Sequence, residues 1–591
     1  MTKRIIPIFY ACDDRFARYT VVSLHSMKKA ASKDHLYKVH VLNTNISDEM
    51  KQAIGELADE CFEISFDNVC SYLESIEDKL PIRDYYTKTT YFRMFIAEMF
   101  PQYDKAIYID GDTVVLGDIS KLYNTDIGCN LVGACHEQAM VQVDVYGTYA
   151  EKVVGVPRHN FFNAGMIIIN CDLFRKRKVL EKFLALLGEY NFVVTQDEDY
   201  LNLICKDRVF WLDQRWNTEV TEGFEYPYDV RCGYILHYIM VNKPWHYENC
   251  RCADIFWELA KETSVYGILR EELLAYTEKE RERDRISGEN LYKLAIKETE
   301  KEDNYQNRLN KTRRSPDRVA VVKRIEEYER VGKFDIDVEE DPPSRVLLPN
   351  EIDYLRRSPT AKLKTTVSYF MAKRFLDKIQ KEGQLVIGEI RGIEKFRELP
   401  RGAIITSNHF NPFDTFAIHE AFLRSGVKKK KIYRVIREGN YTSFPGFYGF
   451  LMRNFYTLPL SSDRRTMHKF NEAAEAVLKA GNFILIYPEQ SMWWNYRKPK
   501  PLKLGAYSMA VKNGVPILPC FITMKDTDTL GEDGYPIQEY TINIKGPIFP
   551  DESLPRKDRI EKMAEENAEV WKQIYEESYS MPLEYSTEKA P

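Results

Sequence analysis

The chain has 591 residues, of which 44 % are hydrophobic and 29 % charged, and its formal net charge at pH 7 is −5. This length exceeds what one hydrophobic core serves and predicts a multidomain globular protein. The slightly acidic balance disfavours a nucleic-acid partner, because nucleic-acid-binding domains present a strongly basic surface. No run reaches the ~18 uncharged apolar residues of a membrane-spanning helix. The eleven cysteines include no Cys-x-x-Cys pair, so reduced thiols in a cytoplasmic protein are the simplest interpretation.

Residues 1–261 alternate short apolar strands with helical segments, which predicts an α/β domain with a mostly parallel sheet. The strand candidates are IIPIFYA, YKVHVLN, AIYID, LVGAC, AGMIIIN and VFWLD. Residues 262–344 are charged and favour helix, so they predict a solvated helical linker. The linker ends at Val338–Ser344, where Pro342 and Pro343 cannot continue a helix.

Residues 345–591 show a second α/β pattern that does not repeat the first. Its strand candidates are QLVIGEI, AIITSN, FILIYP and VPILPCFI. A basic amphipathic helix is predicted over residues 360–381. The sequence therefore predicts two unlike α/β domains joined by a charged helical connector.

Two acids follow a predicted strand of the first domain: Asp110 and Asp112, with Gly111 between them. The carboxyl ends of strands form the ligand-binding edge of an α/β sheet, and a glycine lets the chain turn so that both side chains converge. Converging carboxylates favour a hard cation such as Mg²⁺ or Mn²⁺, which would neutralise a diphosphate leaving group. The alternative is a surface turn with two solvated acids.

Further segments surround this pair in a fixed order: ACDDRFARYTVVSLHS, TTYFRMFIAEMFPQYDKAIYIDGD, FFNAGMIIINCDLF, TQDEDYLNLI and ILHYIMVNKPWH. Together, over about residues 4–250, they resemble glycosyltransferase family 8. The resemblance implies a GT-A (Rossmann-like) fold and transfer of a hexose from a UDP-sugar with retention at the anomeric carbon. It also implies a Mn²⁺ (or Mg²⁺) ion. An isomerase or hydrolase that uses the paired acids is disfavoured by these motifs.

The resemblance also implies roles for individual residues. Asp110, Asp112 and His237 would hold the metal ion, although a structural role is the usual one for a lone histidine. The residues assigned to substrate are Ala11 and Asp13 for uridine, Arg93 for the sugar or diphosphate, Lys243 for the diphosphate, and Asn163, Ala164, Asp197 and Glu198 for the sugar pocket. Glu198 stands where some relatives carry glutamine, and a carboxylate there would stabilise positive charge at the anomeric carbon or attack it.

In the second domain, His409 and Asp414 lie on either side of four residues in NHFNPFD. A histidine that is oriented by a carboxylate can deprotonate an alcohol, which would then attack a thioester without a protein nucleophile. The alternative is that Asp414 caps a helix while His409 packs in the core.

The segments NHFNPFD, FPGFYGFLMRN, ILIYPEQS and VPILPC resemble the glycerol-phosphate and lysophosphatidic acid acyltransferases. These motifs cover about residues 385–525 of a domain placed at about 350–575. The resemblance implies acyl transfer from acyl-CoA or acyl-carrier protein to a hydroxyl of a glycan or lipid acceptor. It assigns the base to His409, its partner to Asp414, the acceptor pocket to Glu489, and further substrate contacts to Asn408, Gly449 and Arg453.

Two departures from that family bear on the acceptor. Gln490 stands where glycine is usual, and TLPLSS lacks the arginine that would bind an acceptor phosphate, unless Arg464 or Arg465 replaces it. The leading hypothesis is a bifunctional transferase of bacterial glycolipid or cell-surface glycan assembly. The alternative is an active glycosyltransferase with a degenerate acyl-binding or membrane-docking module.

Two basic segments predict contact with anionic headgroups, the run Lys428–Arg437 and the helix at 360–381. A solvated charge run is the usual alternative. We therefore predict a cytoplasmic protein that is peripheral on the inner face of the cell membrane.

Overall fold

The computed structural model describes residues 3–73, 88–339, 344–399 and 401–587. It divides into two units, of which the first ends at Leu309 and the second begins at Asn310. Each unit is built on a seven-stranded sheet, so the predicted two-part α/β class is confirmed. Pro342 and Pro343 of the predicted boundary lie outside the described residues. Within those residues, no helix combines the length and apolar character needed to cross a membrane.

The first unit contains ten described strands: β1 Arg4–Ala11, β2 His35–Asn43, β3 Phe62–Asn68, β4 Ala106–Ile109, β5 Thr113–Val115, β6 Val132–His136, β7 Phe162–Ile169, β8 Val209–Trp211, β9 Thr218–Glu219 and β10 Ile235–His237. The large sheet has the order β3-β2-β1-β4-β7-β6-β8, in which β7 alone runs antiparallel to its neighbours. Strands β5, β10 and β9 form a second, three-stranded sheet in that order.

The helices of this unit that the structure describes are α1 Asp14–Ala30, α2 Asp48–Gly55, α3 Cys70–Leu73, α4 Ile96–Met99, α5 Ile119–Tyr123, α6 Gln138–Gln142, α7 Asp144–Tyr149, α8 Cys171–Lys176, α9 Val179–Glu189, α10 Asp197–Cys205, α11 Ala253–Ala260, α12 Tyr266–Ala275 and α13 Glu278–Glu300. Helix α14, Tyr305–Thr312, contains the division between the units.

Strand β1 shows why the large sheet is buried on both faces. Ile8 and Tyr10 belong to one core cluster, whereas Phe9 and Ala11 belong to the other. Successive side chains of a strand point to opposite faces, so an uninterrupted apolar run fits a sheet that is covered by helices on both sides.

The second unit has the described strands β11 Val386–Arg391, β12 Ala403–Thr406, β13 Ile432–Ile436, β14 Thr457–Pro459, β15 Phe483–Ile486, β16 Ile517–Leu530 and β17 Pro536–Ile544. Their order is β11-β17-β16-β12-β15-β13-β14. The five strands from β16 to β14 are parallel, and β17 is antiparallel to β16. The loops after β12 and β15 therefore meet at one edge of the sheet.

Its described helices are α15 Pro316–Arg330, α16 Pro359–Lys381, α17 Lys395–Glu398, α18 Asp414–Arg424, α19 Glu438–Thr442, α20 Gly446–Asn454, α21 Arg464–Lys479, α22 Gly505–Asn513 and α23 Arg556–Tyr579. Helix α16 coincides with the basic helix predicted at 360–381.

The segment predicted as a linker, 262–344, contributes to both hydrophobic cores. Leu291 and Ala295 of α13 are buried in a core cluster of the first unit. Val321 and Ile325 of α15 pack with Trp493 in a cluster of the second unit. These helices are charged on their outer faces but are anchored by apolar inner faces.

Candidate functional sites

Asp110, Asp112 and His237 converge at the carboxyl end of β4. The two acids follow Ile109, and the pairing of β10 with β5 places His237 opposite Thr113. One ligand atom from each of the three residues lies within 4.8 Å of the others. The Nε2 atom of His237 is 3.3 Å from Asp112 Oδ1 and 4.0 Å from Asp110 Oδ2.

Close packing requires glycine at two positions of this site, Gly165 and Gly111. A Cβ atom on Gly165 would lie 2.3 Å from His237 Cε1 and 2.7 Å from Asp110 Oδ2. A Cβ atom on Gly111 would lie 2.4 Å from Thr20 Oγ1. Gly111 does not have a positive φ, so close approach of helix α1, rather than an unusual backbone angle, requires glycine there.

A chain of hydrogen bonds fixes the tautomer of His237. Asn217 Nδ2 donates to Asn163 Oδ1 over 2.8 Å, which turns Asn217 Oδ1 towards His237 Nδ1 at 3.0 Å. His237 Nδ1 therefore carries the proton, and the Nε2 lone pair faces the two carboxylates. A lone pair and two carboxylates repel one another unless a cation lies between them, so the donor set fits a divalent ion.

Lys243 and Arg93 supply positive charge at the edges of this site. Lys243 Nζ is 2.5 Å from Asp112 Oδ2. Burial raises the pKa of Asp112, but the charges and hydrogen bonds of Lys243 and His237 together outweigh it and hold that pKa well below its ordinary value. The buried Arg93 guanidinium lies 3.1 Å from Asp110 Oδ1 and 3.1 Å from Asp197 Oδ2, and therefore connects the two predicted subsites.

The cavity at this site has a volume of about 160 Å³ and is lined by most of the predicted first-site residues: Ala11, Arg93, Asp110, Asp112, Asn163, Ala164, Asp197, Glu198, His237 and Lys243. Asp13 is the predicted residue, among those described, that is placed elsewhere. Its Oδ1 atom accepts a hydrogen bond of 2.8 Å from Phe16 N and caps helix α1.

Glu198 forms part of the wall of this cavity. Its Oε1 atom accepts a hydrogen bond of 2.7 Å from Ala164 N. Enclosure by the protein, followed by the charges of Glu137 and Asp197, raises the pKa of Glu198 well above its ordinary value. Burial likewise raises the pKa of Asp197 to about 6, despite the neighbouring Arg93.

The predicted dyad of the second unit is formed. His409 follows β12, Asp414 begins α18, and His409 Nδ1 is 2.7 Å from Asp414 Oδ2. The Asp414 side chain is 1 % exposed and the His409 side chain 27 % exposed. Because Nδ1 is engaged with the buried carboxylate, Nε2 is the nitrogen available to a substrate.

Tyr487, which the motif analysis did not single out, completes this dyad. Its hydroxyl lies 2.7 Å from Asp414 Oδ1 and 2.6 Å from Thr415 Oγ1. Its ring stacks on the His409 imidazole, with centroids 4.1 Å apart and planes at 21°. Burial, followed by the charge of Asp414, raises the pKa of Tyr487 well above its ordinary value, so its hydroxyl stays protonated and donates.

Glu489 is engaged with the protein through both carboxylate oxygens. Oε2 accepts from His409 N over 3.0 Å, and Oε1 accepts from Lys500 N over 2.8 Å. The buried ammonium of Lys500 is 3.3 Å from the same carboxylate. Glu489 thereby fixes the backbone of the base, and Lys500 is a partner that the motifs did not reveal.

The other predicted residues of this unit stabilise its loops. Asn408 exchanges two hydrogen bonds with the backbone of Ile522, of 3.0 and 2.8 Å, and joins the end of β12 to β16. A Cβ atom on Gly449 would lie 1.9 Å from Phe444 O, and Arg453 donates to the same oxygen over 3.1 Å. Gly449 and Arg453 therefore shape the turn before α20.

Residues Phe334–Val338, which we call the strap, bind the loop that follows Glu489. Ser491 Oγ donates to Phe334 O over 2.6 Å, and Trp493 Nε1 donates to Ile336 O over 2.8 Å. Asp337 accepts from Met492 N and pairs with Arg437. The strap thus supports the loop that follows Glu489, although the strap lies outside the segments that carry the sequence motifs.

The basic run Lys428–Arg437 is only partly at the surface. Lys428 and Lys429 are exposed, but Arg434 is buried within β13. Arg434 therefore cannot take part in the predicted headgroup contact.

Comparison with known proteins finds one matching family for a segment of each unit. Residues 7–249 match the family model of glycosyl transferase family 8, and residues 388–523 match the acyltransferase family model. A "Putative glycosyltransferase" of Haemophilus influenzae is 30 % identical over 261 residues, which cover 42 % of this chain and 76 % of that protein.

Two further similarities concern galactosyltransferases. Lipopolysaccharide 1,3-galactosyltransferase of Salmonella typhimurium is 26 % identical over 251 residues, covering 40 % of this chain and 72 % of that protein. The crystal structure of galactosyltransferase LgtC with donor and acceptor sugar analogues is 25 % identical, with a TM-score of 0.38. The similarity covers 45 % of this chain and 100 % of that chain.

Proposed function

Since the chain belongs to glycosyltransferase family 8 and also carries an acyltransferase domain, we propose that it is a bifunctional transferase. One site transfers a hexosyl group from a UDP-sugar with retention, and the other transfers an acyl group from acyl-CoA or acyl-carrier protein to a hydroxyl. The proposal is supported by one observation above all. Each unit contains its own reactive cluster, Asp110–Asp112–His237 in the first and His409–Asp414 in the second.

In the glycosyl-transfer site, Asp110, Asp112 and His237 would hold a divalent cation, Mn²⁺ or Mg²⁺. When bound, the cation supplies Lewis-acid neutralisation of the diphosphate leaving group. Lys243 adds a point charge at the same group, and Glu198 is the carboxyl group that faces the anomeric carbon.

In the acyl-transfer site, His409 Nε2 removes the proton of the acceptor hydroxyl as its oxygen attacks the thioester carbonyl. The tetrahedral intermediate collapses, the carbon–sulfur bond breaks, and the imidazolium returns the proton to the leaving thiolate. Asp414 stays ionised throughout and stabilises the imidazolium. The products are an ester and a free thiol.

The test uses Asp112→Ala and His409→Ala in separate assays of UDP-sugar and acyl-CoA consumption. Asp112→Ala is expected to abolish hexosyl transfer alone, and His409→Ala to abolish acyl transfer alone. Wild-type turnover of either donor by the corresponding variant would refute that half of the proposal.

A second candidate keeps the glycosyl transfer but makes the second unit a degenerate acyl-binding module. The segment TLPLSS lacks an arginine for an acceptor phosphate, and this absence favours the second candidate. Arg464 and Arg465, the two candidate replacements, are exposed at the start of α21. Acyl-CoA hydrolysis or transfer by residues 310–591, with the His409→Ala fragment as control, would exclude this candidate.

We place both reactions in bacterial glycolipid or cell-surface glycan assembly at the cytoplasmic face of the membrane. The lipopolysaccharide galactosyltransferase among the relatives supports this placement. Mass spectrometry of lipids and glycans from cells that express the chain, against the Asp112→Ala and His409→Ala variants, identifies the two acceptors. Unchanged lipid and glycan profiles would contradict the placement.

A further inference from the structure

Helix α16 of the second unit has apolar stripes on two opposite sides. Its inner stripe packs into the core through Ala372 and Leu376. Its outer stripe consists of Leu363, Val367 and Phe370, which share one helix face because they are four and three residues apart. These side chains are 66, 42 and 66 % exposed. A surface helix of a globular protein needs only one apolar stripe, so the core does not account for the outer one.

The outer stripe is surrounded by positive charge. Lys362, Lys364, Lys373 and Arg374 are exposed, and none of them forms an ion pair within the parts of the chain that the structure describes. No aspartate or glutamate occurs in the helix before Asp377. An apolar face with a cationic border is typical of helices that lie in the interface of an anionic bilayer.

The helix also lies close to the acyl-transfer dyad. The ring of Phe375 is 5.3 Å from that of Phe416 on α18, the helix that begins with Asp414. Tyr448 of α20, whose ring is 5.8 Å from Phe375, is 45 % exposed and extends the apolar surface. A helix with its side chains is about 10–12 Å across, so the outer stripe is about one helix away from the helix that carries the partner of the base.

We propose that the outer stripe of α16 docks onto the surface of an anionic phospholipid bilayer. Leu363, Val367 and Phe370 enter the boundary between headgroups and acyl chains, while the bordering cations pair with lipid phosphates. The basic composition of the helix predicts only the pairing of cations with lipid phosphates and does not predict the insertion of apolar side chains. The inference deepens the proposed acyl transfer, because docking brings a lipid acceptor to the site, and it is tested without measuring that reaction.

The experiment is co-sedimentation of the full chain with vesicles of phosphatidylcholine alone or with added anionic phosphatidylglycerol. The wild-type chain is expected to bind the anionic vesicles and to bind the neutral ones weakly. The triple variant Leu363→Ser, Val367→Ser, Phe370→Ser is expected to bind anionic vesicles at least about tenfold more weakly. The triple variant Lys362→Gln, Lys364→Gln, Lys373→Gln is expected to lose about a hundredfold, or about fivefold for each lysine.

Matched controls separate the stripe from general surface effects. Leu274→Ser removes an exposed leucine of the first unit and is expected to bind as the wild type does. His409→Ala is expected to lose acyl transfer but to keep vesicle binding, so failure of the proposed reaction and failure of docking give different results.

Vesicle binding by the serine variant at the wild-type level would overturn the proposal, as would equal wild-type binding to neutral and anionic vesicles. If the serine variant changes the oligomeric state in light scattering while vesicle binding is unchanged, the stripe is a contact between copies and the proposal is wrong. Circular dichroism melts confirm that each variant is folded.

Discussion

The two sites differ in how their charges are balanced. In the first unit, Asp110, Asp112 and the Nε2 lone pair of His237 face one point, with Lys243 and Arg93 at its edges, and this donor set fits a divalent cation. In the second unit, the Asp414 carboxylate is satisfied by the protein, through His409, the Phe410 backbone amide and Tyr487. The comparison contrasts a donor set that fits a divalent ion with a dyad whose charges are balanced by protein groups.

Chelation of divalent ions should give the largest separation of the two activities. With excess EDTA, hexosyl transfer is expected to fall to background, because the site loses the cation that would neutralise the diphosphate leaving group. Acyl transfer by the same sample should be unchanged, since protein groups alone balance the charge of the His409–Asp414 dyad. Parallel assays of both donors, with Mn²⁺ or Mg²⁺ added back, make the measurement. Equal loss of both activities would mean that the two sites are not independent.

Removal of Asn217 should weaken cation binding by about 10- to 100-fold, because partners of a ligating histidine fix its tautomer and orientation. Asn217→Ala loses the acceptor of the His237 Nδ1–H group. Binding of Mn²⁺ is measured by electron paramagnetic resonance, without substrate.

Asn217→Asp serves as the control, since it keeps an acceptor oxygen at this position and should retain tighter Mn²⁺ binding than Asn217→Ala. Unchanged affinity in both variants would contradict the assigned tautomer.

Tyr487→Phe should lower kcat for acyl transfer by about tenfold and leave KM nearly unchanged. The ring still stacks on His409, but Asp414 loses one donor, a charged hydrogen bond of about 1.5–3 kcal/mol. Steady-state kinetics with acyl-CoA measure the effect. Tyr456→Phe, at an aromatic residue of the same unit, should change neither constant. A rise in KM alone would show that the Tyr487 hydroxyl contacts substrate instead of holding the dyad.

Gln490→Gly should have the smallest effect, a gain of up to about 1 kcal/mol in the free energy of unfolding. Gln490 has a φ of +63° and an exposed side chain, and the left-handed region penalises residues other than glycine. Denaturant unfolding of residues 310–591 measures the gain. Gln490→Ala keeps the penalty and should not stabilise the fragment. Equal stability of the two variants would contradict the backbone explanation.

Much of the fold follows from local patterns. The predicted strands IIPIFYA and AIITSN begin with apolar runs, and the structure has them as the interior strands β1 and β12 of the two sheets. The sequence analysis did not identify β13, β14 or β17. Strand β13 carries the charged residue Arg434, and β14 has only three residues, so neither shows a clear apolar period.

The sites show the same limit. Asp110, Asp112, His409 and Asp414 are recognisable because each pair lies close together in the sequence. Asn217 was missed because its contact with His237 depends on the pairing register of β9 and β10. That register brings together two residues that are 20 positions apart in the sequence.

Tyr487 and Lys500 were missed for a related reason. Their partners lie 73 and 11 positions away, Asp414 and Glu489, and only the folded chain brings them together. Local sequence thus indicates the reacting groups, while the residues that orient them depend on tertiary structure.

The strap gives the second unit an earlier beginning than its family motifs suggest. Phe334–Val338 holds the loop after Glu489, and α15 packs on Trp493. Any exchange of this catalytic module between proteins, whether by recombination or by design, would therefore have to carry the chain from about residue 310 onward. A transplant that starts at the recognisable motifs would leave the loop behind His409 without its support.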